Sequence, residues 1–158
     1  IGRSLSIDPL SYPILKWSWK IADTISGSSL WHKSGDDFPV RVMISFKSDS
    51  AGHRGLKDNI LCYVWATDEP IGSVAINPIH SNIRTFVALS GSDRRGEWIE
   101  MSRNLVEDYR VAFSEEPEAV TGLVLMTDSD NTGSEAHAWY GPLWLSSGVE
   151  APPPDPSK

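Results

Sequence analysis

The residues best suited to hold a metal ion form one loop in the last third of the chain. Its sequence, Asp128-Ser129-Asp130-Asn131-Thr132-Gly133-Ser134-Glu135, is rich in side-chain oxygens, the donors that Ca²⁺ takes in sets of about six to eight. The spacing is similar to the first half of an EF-hand loop, although the twelfth position is Trp139 instead of glutamate. We predict calcium ligands at Asp128, Asp130, Asn131 and Glu135. A hairpin loop that caps its own backbone is the alternative.

Two further carboxylates, Asp36 and Asp37, stand just before a predicted strand. They could add oxygens to the same cation, or they could pair with Arg41. A pair of carboxylates can also hydrolyse glycosidic bonds when the two groups flank the scissile bond at a defined separation. Of these three interpretations we favour the structural pairing with Arg41, and we keep a glycan-active hydrolase as the weakest alternative for the function.

Chemistry based on cysteine, histidine or serine finds little support. Cys62 lies in the apolar run 60–66, where burial raises the pKa of a thiol. The four histidines have no second histidine or cysteine at metal-ligand spacing, which disfavours zinc. The sequence contains no Gly-x-Ser-x-Gly elbow and no phosphate or dinucleotide loop. We therefore expect a non-catalytic protein that requires no cofactor, with Ca²⁺ as a possible ligand.

A candidate ligand-binding face comes from three predicted strands. In the run 40–46 the even positions are apolar and should point inward, which would leave Arg41 outward. If the faces of the next two strands coincide with it, one surface presents Arg41, Tyr63, Trp65, Arg84 and Phe86. Indoles stack on sugar rings and guanidinium groups bind hydroxyls or carboxylates, so this face predicts a carbohydrate ligand, including an acidic one. The alternatives are that these aromatic residues form the core, or that the face meets a protein partner.

The elements that would position these residues follow a period of two. Apolar and polar residues alternate in the segments 15–21 and 40–46, and six further candidate strands follow, with turns rich in Gly, Pro, Asp, Asn and Ser between them. These predicted strands are 15–21, 40–46, 60–66, 73–77, 83–89, 97–101, 120–127 and 135–145. The pattern predicts one mostly β domain over residues 1–147, folded as an antiparallel β-sandwich. Four prolines after residue 148 predict a disordered tail over 148–158.

One short helix interrupts the strands. Asn104 is a suitable N-cap, and Glu107 stands three residues later, as in a capping box. Leu105, Tyr109 and Phe113 recur every four residues and form one apolar stripe. We predict that this helix packs across one end of the sandwich and stops before a proline at 117.

Composition narrows the possible partners. A net charge of −7 over 158 residues disfavours general binding to nucleic acid or to an anionic membrane surface. No apolar stretch is long enough to span a bilayer. Seven tryptophans are many for a chain of this length, and each can serve as a core anchor or as a contact surface.

The order of several motifs resembles a bacterial family of domains of unknown function, family 3047. The motifs cover residues 14–145 and include Asp36-Asp37-Phe38, Tyr63-Val64-Trp65-Ala66, Asp108-Tyr109-Arg110, Met126 to Gly133, and Ala138-Trp139-Tyr140-Gly141. The resemblance implies an envelope or secreted protein, hence a periplasmic or secreted location, and no particular activity; no signal peptide is visible in the chain itself. The family usually has strand-forming sequence before the segment that matches 5–19, and its absence here predicts a trimmed front or a missing edge strand.

The strand pattern is also similar to the jelly-roll sandwiches of galactose-binding-like carbohydrate modules. That likeness concerns architecture, and architecture alone does not give a function. From residues and resemblance together we expect a non-catalytic module that binds extracellular or periplasmic carbohydrate, with a structural calcium ion. An envelope domain for protein–protein interaction is the alternative.

Overall fold

The structure is a computed structural model that describes residues 1–48 and 58–148. In chain order its elements are β1 (Gly2–Ile7), β2 (Ile14–Ile21), a 3-10 turn (Lys33–Gly35), β3 (Arg41–Phe46), β4 (Asn59–Ala66), β5 (Val74–Ile76), β6 (Ile83–Ser90), β7 (Ile99–Asn104), α1 (Leu105–Phe113), β8 (Val120–Met126) and β9 (Ala138–Ser146). Apart from Gly148, the predicted tail at 148–158 lies outside the described residues. No helix in the described ranges has the length and apolar character needed to cross a bilayer.

The strands form two sheets. The large sheet has six strands in the order β1-β8-β3-β4-β6-β5, and the small sheet has three in the order β7-β2-β9. Every pairing is antiparallel except that of β4 with β6, which is parallel. The predicted mostly β sandwich with one short helix is therefore confirmed. The strand β1 was missed because its sequence, Gly-Arg-Ser-Leu-Ser-Ile, carries only two apolar side chains.

The main core lies between the two sheets. Trp17 and Trp19 point inward from β2 and meet edge to face, with ring centroids 5.2 Å apart. Tyr63 of β4 stands 5.3 Å from Trp17 across the layer. All three side chains are buried, and burying a large apolar side chain stabilises the fold by about 1.5–3 kcal/mol.

A second, smaller core lies on the other side of the large sheet. Residues 22–40 run across its outer surface, where Leu30 and Phe38 join Cys62 and Val64 in a separate buried cluster. Burial raises the pKa of the Cys62 thiol to about 11, so this thiol stays protonated at neutral pH. The large sheet is thus covered on both faces in this region.

The predicted helix is present as α1 and packs against the main core. The Asn104 side chain accepts hydrogen bonds from the backbone N–H groups of Val106 and Glu107, which confirms the predicted N-cap. The helix ends at Ser114, whose backbone is left-handed with φ 58°, and so ends before proline 117 is reached. Tyr109 fixes the helix to the large sheet through a ring contact of 4.8 Å with Phe46.

Candidate functional site

The predicted face of Arg41, Tyr63, Trp65, Arg84 and Phe86 is not a surface, and its predicted exposure is wrong. Tyr63 and Trp65 are fully buried, and Phe86 and Arg41 are nearly so. Arg84 lies against the end of α1, where its Nε donates to the carbonyl of Ala112 and its guanidinium stacks on Phe113. A sugar could not reach the rings of this set.

Strand register explains the error. Tyr63 stands opposite Val42, and Arg41 stands opposite Val64. Tyr63 therefore points to the same side as the inward residue Val42, while Arg41 points to the opposite side of the sheet. The period of two correctly groups residues within one strand, but it does not fix which group of the neighbouring strand lies beside them.

Arg41 instead belongs to a buried ionic network beneath residues 22–40. Its two terminal nitrogens donate to Asp36, and the guanidinium lies 5.0 Å from the centroid of the Phe38 ring. Asn77 donates to the second oxygen of Asp36 at 2.9 Å. The favoured structural pairing is found, with Asp36 as the partner. Hydrogen bonds within the protein thus occupy this carboxylate.

The acidic loop at 128–135 is held in place by Asp37. One oxygen of Asp37 accepts the backbone N–H of Asn131, and the other accepts the backbone N–H and the hydroxyl of Thr132. The Asn131 side-chain amide donates to the carbonyl of Lys33. These bonds anchor the loop to the segment that covers the large sheet, and the groups that satisfy the loop backbone come from Asp37 and not from the loop's own side chains.

Three carboxylates converge at this loop. One oxygen each of Asp37, Asp128 and Asp130 lies within 4.8 Å of the others. The structure thus joins two of the predicted calcium ligands to Asp37, whereas Glu135 is not in the group. Partial burial raises the pKa of Asp128, and the nearby charges of Asp130 and Asp37 raise it further, against the opposing charge of Arg41. A cation would relieve this repulsion, and Arg41, 3.6 Å from Asp128, already does so in part.

A solvent-facing aromatic surface lies on the small sheet, where the sequence did not predict one. Trp98, Trp139 and Trp144 are 51%, 45% and 50% exposed, although each stands in or beside a strand. Apart from Pro142, their neighbours on this outer surface are polar or charged. We call it the tryptophan face; it consists of Lys16, Ser18, Lys20, Trp98, Glu100, Ser102, Trp139, Pro142 and Trp144.

A β-bulge brings two of these tryptophans together. Trp139 and Trp144 are separated by five positions, so a regular strand would place them on opposite faces. In β9 the register shifts between the pairs Trp19–Tyr140 and Trp17–Leu143, which inserts one extra residue at Gly141-Pro142. Beyond the bulge the alternation is reversed, and both indoles point outward. Bulges often redirect side chains next to binding sites.

Close packing around Gly141 also shapes the tryptophan face. A Cβ atom on Gly141 would lie 2.1 Å from the Ser18 Oγ and 3.3 Å from the Trp98 ring, so only glycine fits at this point without a shift. The Lys20 ammonium stands between two indoles, 5.3 Å from the centroid of Trp98 and 4.4 Å from that of Trp139. Such cation–π contacts restrict the positions of both rings.

A shallow depression of about 360 Å³ opens beside Trp144. Its lining residues come from all three strands of the small sheet and include Pro142. Polar groups alternate with the apolar surface around it, namely Lys16, Ser18, Glu100 and Ser102. This volume lies in the range of about 300–1,000 Å³ that is usual for small-molecule sites.

Sequence reasoning missed this face, although one signal was present. Glycine and proline side by side within a predicted strand are typical of a bulge. Reversing the alternation at Gly141-Pro142 would have placed Trp139 and Trp144 on one side.

Comparison with known families shows a match over residues 1–144 to a family described as a protein of unknown function, DUF3047. The match confirms the resemblance carried by the motifs between residues 14 and 145. Among curated proteins no match is found.

Proposed function

This chain belongs to the DUF3047 family, and we propose that it is a non-catalytic module that binds carbohydrate on the tryptophan face. The ligand would be an extracellular or periplasmic glycan, in line with the envelope or secreted location implied by the resemblance. The observation that carries the proposal is the bulge at Gly141-Pro142. It places Trp139 and Trp144 on the same exposed side of a sheet that is otherwise regular.

The chemistry of the face suits a sugar. A pyranose has an apolar face of C–H groups and a rim of hydroxyls, and it can stack on an indole while its rim bonds to polar side chains. Trp144 supplies the ring next to the depression, and Ser18, Ser102 and Glu100 supply donors and acceptors around it. Rigid strands fix these groups, which lowers the entropic cost of binding.

The charges favour an acidic sugar. Lys16 borders the depression and Lys20 lies between Trp98 and Trp139, so two cations and one carboxylate, Glu100, stand on this face of a protein whose net charge is −7. An ammonium group attracts a uronate or other anionic substituent. We therefore propose that acidic glycans bind more tightly than neutral ones of the same size.

A protein partner remains the second candidate for the same surface, because an exposed aromatic patch also suits a protein interface. The depression and the interleaved polar groups favour a small ligand over a flat apolar contact. The glycan-active hydrolase is disfavoured by the hydrogen bonds that occupy both Asp36 and Asp37. A structural calcium ion at Asp37, Asp128 and Asp130 stays a prediction.

Affinity electrophoresis through gels containing a neutral glucan, a galactomannan or a polyuronate would test the proposal. We expect retardation by the polyuronate, and about tenfold weaker binding for Trp144→Ala, since one stacking surface is lost. Trp31→Ala is the matched control, because Trp31 is similarly exposed, 58% against 50% for Trp144, but lies in the segment that covers the large sheet.

Two results would contradict the carbohydrate proposal. The first is normal migration of the wild-type protein in every gel. The second is equal loss of retardation in Trp31→Ala and Trp144→Ala. If neutral glycans bind and Lys16→Ala leaves their affinity and that of the polyuronate unchanged, only the preference for acidic sugars is wrong.

A further inference from the structure

We propose that an apolar cleft between the edges of the two sheets binds the aliphatic chain of a medium-chain carboxylate, whose head group pairs with Arg3. The cleft has a volume of about 400 Å³, within the usual range of about 300–1,000 Å³ for small-molecule sites. It is distinct from the tryptophan face, although Trp144 borders both, and the inference does not depend on the carbohydrate proposal.

The unequal size of the sheets creates the cleft. β1 and β9 are edge strands of the large and small sheets, respectively. In the described part of the chain no strand lies beyond β9 to cover the inward side chains of β1. The core between the layers therefore opens to solvent along this edge.

The lining of the cleft is apolar and comes from four strands. Leu5 and Ile7 line it from β1, Ile44 from β3, Leu123 from β8, and Leu143 and Leu145 from β9. Because the cleft opens to solvent, this apolar lining is in contact with water. An alkyl chain that displaced the water would remove apolar surface from solvent, which is favourable.

The one formal charge in the lining is Arg3. Arg3 lines the cleft together with Leu5 and Ile7 of the same strand, although the pairing of β1 with β8 is irregular between Ser4 and Ile7. Within residues 1–48 and 58–148 no carboxylate forms an ion pair with it. A guanidinium group binds a carboxylate through two parallel hydrogen bonds. An apolar wall that ends in an unpaired cation matches an alkyl chain that ends in an anion.

Calorimetric titration of the whole 158-residue chain with hexanoate, octanoate and decanoate tests the inference. We expect affinity to rise about fourfold for each added methylene group until the cleft is filled. Octylammonium, which has the same chain and the opposite charge, should bind at least tenfold more weakly than octanoate.

Variants locate the site. Arg3→Glu should weaken octanoate binding about tenfold, whereas Arg94→Glu, a change at an exposed arginine elsewhere, should leave it unchanged. Leu5→Trp should fill the cleft and remove binding, with a retained thermal transition as the control for folding. If Leu5→Trp does not fold, Arg3→Glu and the chain-length series decide the outcome.

Three outcomes would overturn the inference: no heat with any of the carboxylates, an affinity that does not depend on chain length, or equal effects of the two arginine variants. A dimer that forms with rising protein concentration and dissociates in Leu5→Trp would also overturn it, because a second copy would then occupy the cleft.

Discussion

The outer surfaces of the two sheets differ: another segment of the chain covers one of them, and the other is exposed to solvent. On the large sheet, residues 22–40 cover the outer side, bury Cys62 and Val64, and close over the Arg41–Asp36 pair. On the small sheet, nothing in the described chain covers Trp98, Trp139 and Trp144. The covered face thus combines an apolar cluster with one buried ion pair, whereas the small sheet leaves three tryptophans exposed. Exposed aromatics that the fold has not buried are the ones available for recognition.

The tryptophans themselves show the same contrast. Trp17, Trp19 and Trp65 are buried, and the Trp65 Nε1 donates to the carbonyl of Gly91. Tryptophan therefore occurs both in the core and on the exposed face, and substitutions at buried and exposed tryptophans should affect stability differently.

The largest expected effect separates core from face. Trp65→Ala should lower the free energy of unfolding by about 3–5 kcal/mol, because it leaves a large cavity between the sheets. Trp144→Ala should change it by less than about 1 kcal/mol. Urea denaturation followed by far-UV circular dichroism measures both. Equal losses for the two variants would show that the tryptophan face is part of the stable core and would end the comparison.

The next effect concerns the ions beneath the covered face. Arg41→Leu should cost about 3 kcal/mol, since it leaves the buried carboxylate of Asp36 without its cation. Arg94→Leu removes a solvent-exposed pair with Glu97 and should cost less than about 1 kcal/mol. Thermal unfolding of the two variants compares them directly. A small loss for Arg41→Leu would mean that Asn77 alone satisfies Asp36.

A smaller effect is expected at the bulge. Gly141→Ala brings a Cβ atom against Ser18 and Trp98, and this overpacking should cost about 1–3 kcal/mol and weaken glycan retention. Combining it with Ser18→Gly removes the closest contact and should restore much of the stability. Urea denaturation of the single and double variants measures their stability, and gel retardation measures their glycan binding. If the single variant keeps full stability and retention, the close packing of Gly141 does not shape the face.

The smallest effect lies at the acidic loop. With calcium at three times its Kd, the wild-type protein should gain about 0.8 kcal/mol, and Asp128→Asn should gain nothing. Without calcium, Asp128→Asn should raise the unfolding temperature slightly at pH 7, because it removes a carboxylate held near two others. Scanning fluorimetry in EDTA and in calcium measures both.

The pH dependence of the acidic loop has a definite sign. The pKa of Asp128 is raised in the folded state, so the folded state binds its proton more tightly than the unfolded chain. This group therefore favours folding as pH falls through the raised pKa toward the usual carboxyl value, and disfavours it above. In EDTA, the free energy of unfolding of the wild-type protein relative to that of Asp128→Asn should therefore rise as the pH falls. If the stability difference between the two proteins does not change from pH 7 to pH 4, the raised pKa of Asp128 is wrong. If calcium does not stabilise the wild-type protein, the predicted calcium site is wrong.

Alternation in β2 and β3 and an unbroken apolar run in β4 made much of the fold predictable. The strands β2, β3, β4, β5, β6 and β8 begin and end within a residue of the predicted bounds, and Asn104 caps the helix as expected. β1 was not predicted, because serines occupy its outward positions and an arginine occupies one inward position. Local pattern predicts an element well when apolar side chains mark one side of it.

The candidate site was less predictable because it depends on relations between segments. Pairing register decided that Tyr63 faces the core while Arg41 faces the opposite side. The contact of Asp37 with Thr132 joins residues 95 positions apart, and only the carboxyl types suggested it. At β9 a single extra residue reversed the side on which Trp144 emerges, and period-two reasoning assumes no such insertion.

The position of β8 also bears on how this protein is synthesised. β8 lies between β1 and β3, although more than seventy residues separate β3 from it in the chain. A nascent chain that has reached residue 119 thus holds β1 without its neighbour and β3 with one edge unpaired. Unpaired edges invite pairing with other chains. The large sheet therefore cannot close before β8 has been synthesised, and until then the free edges of β1 and β3 can pair with other chains.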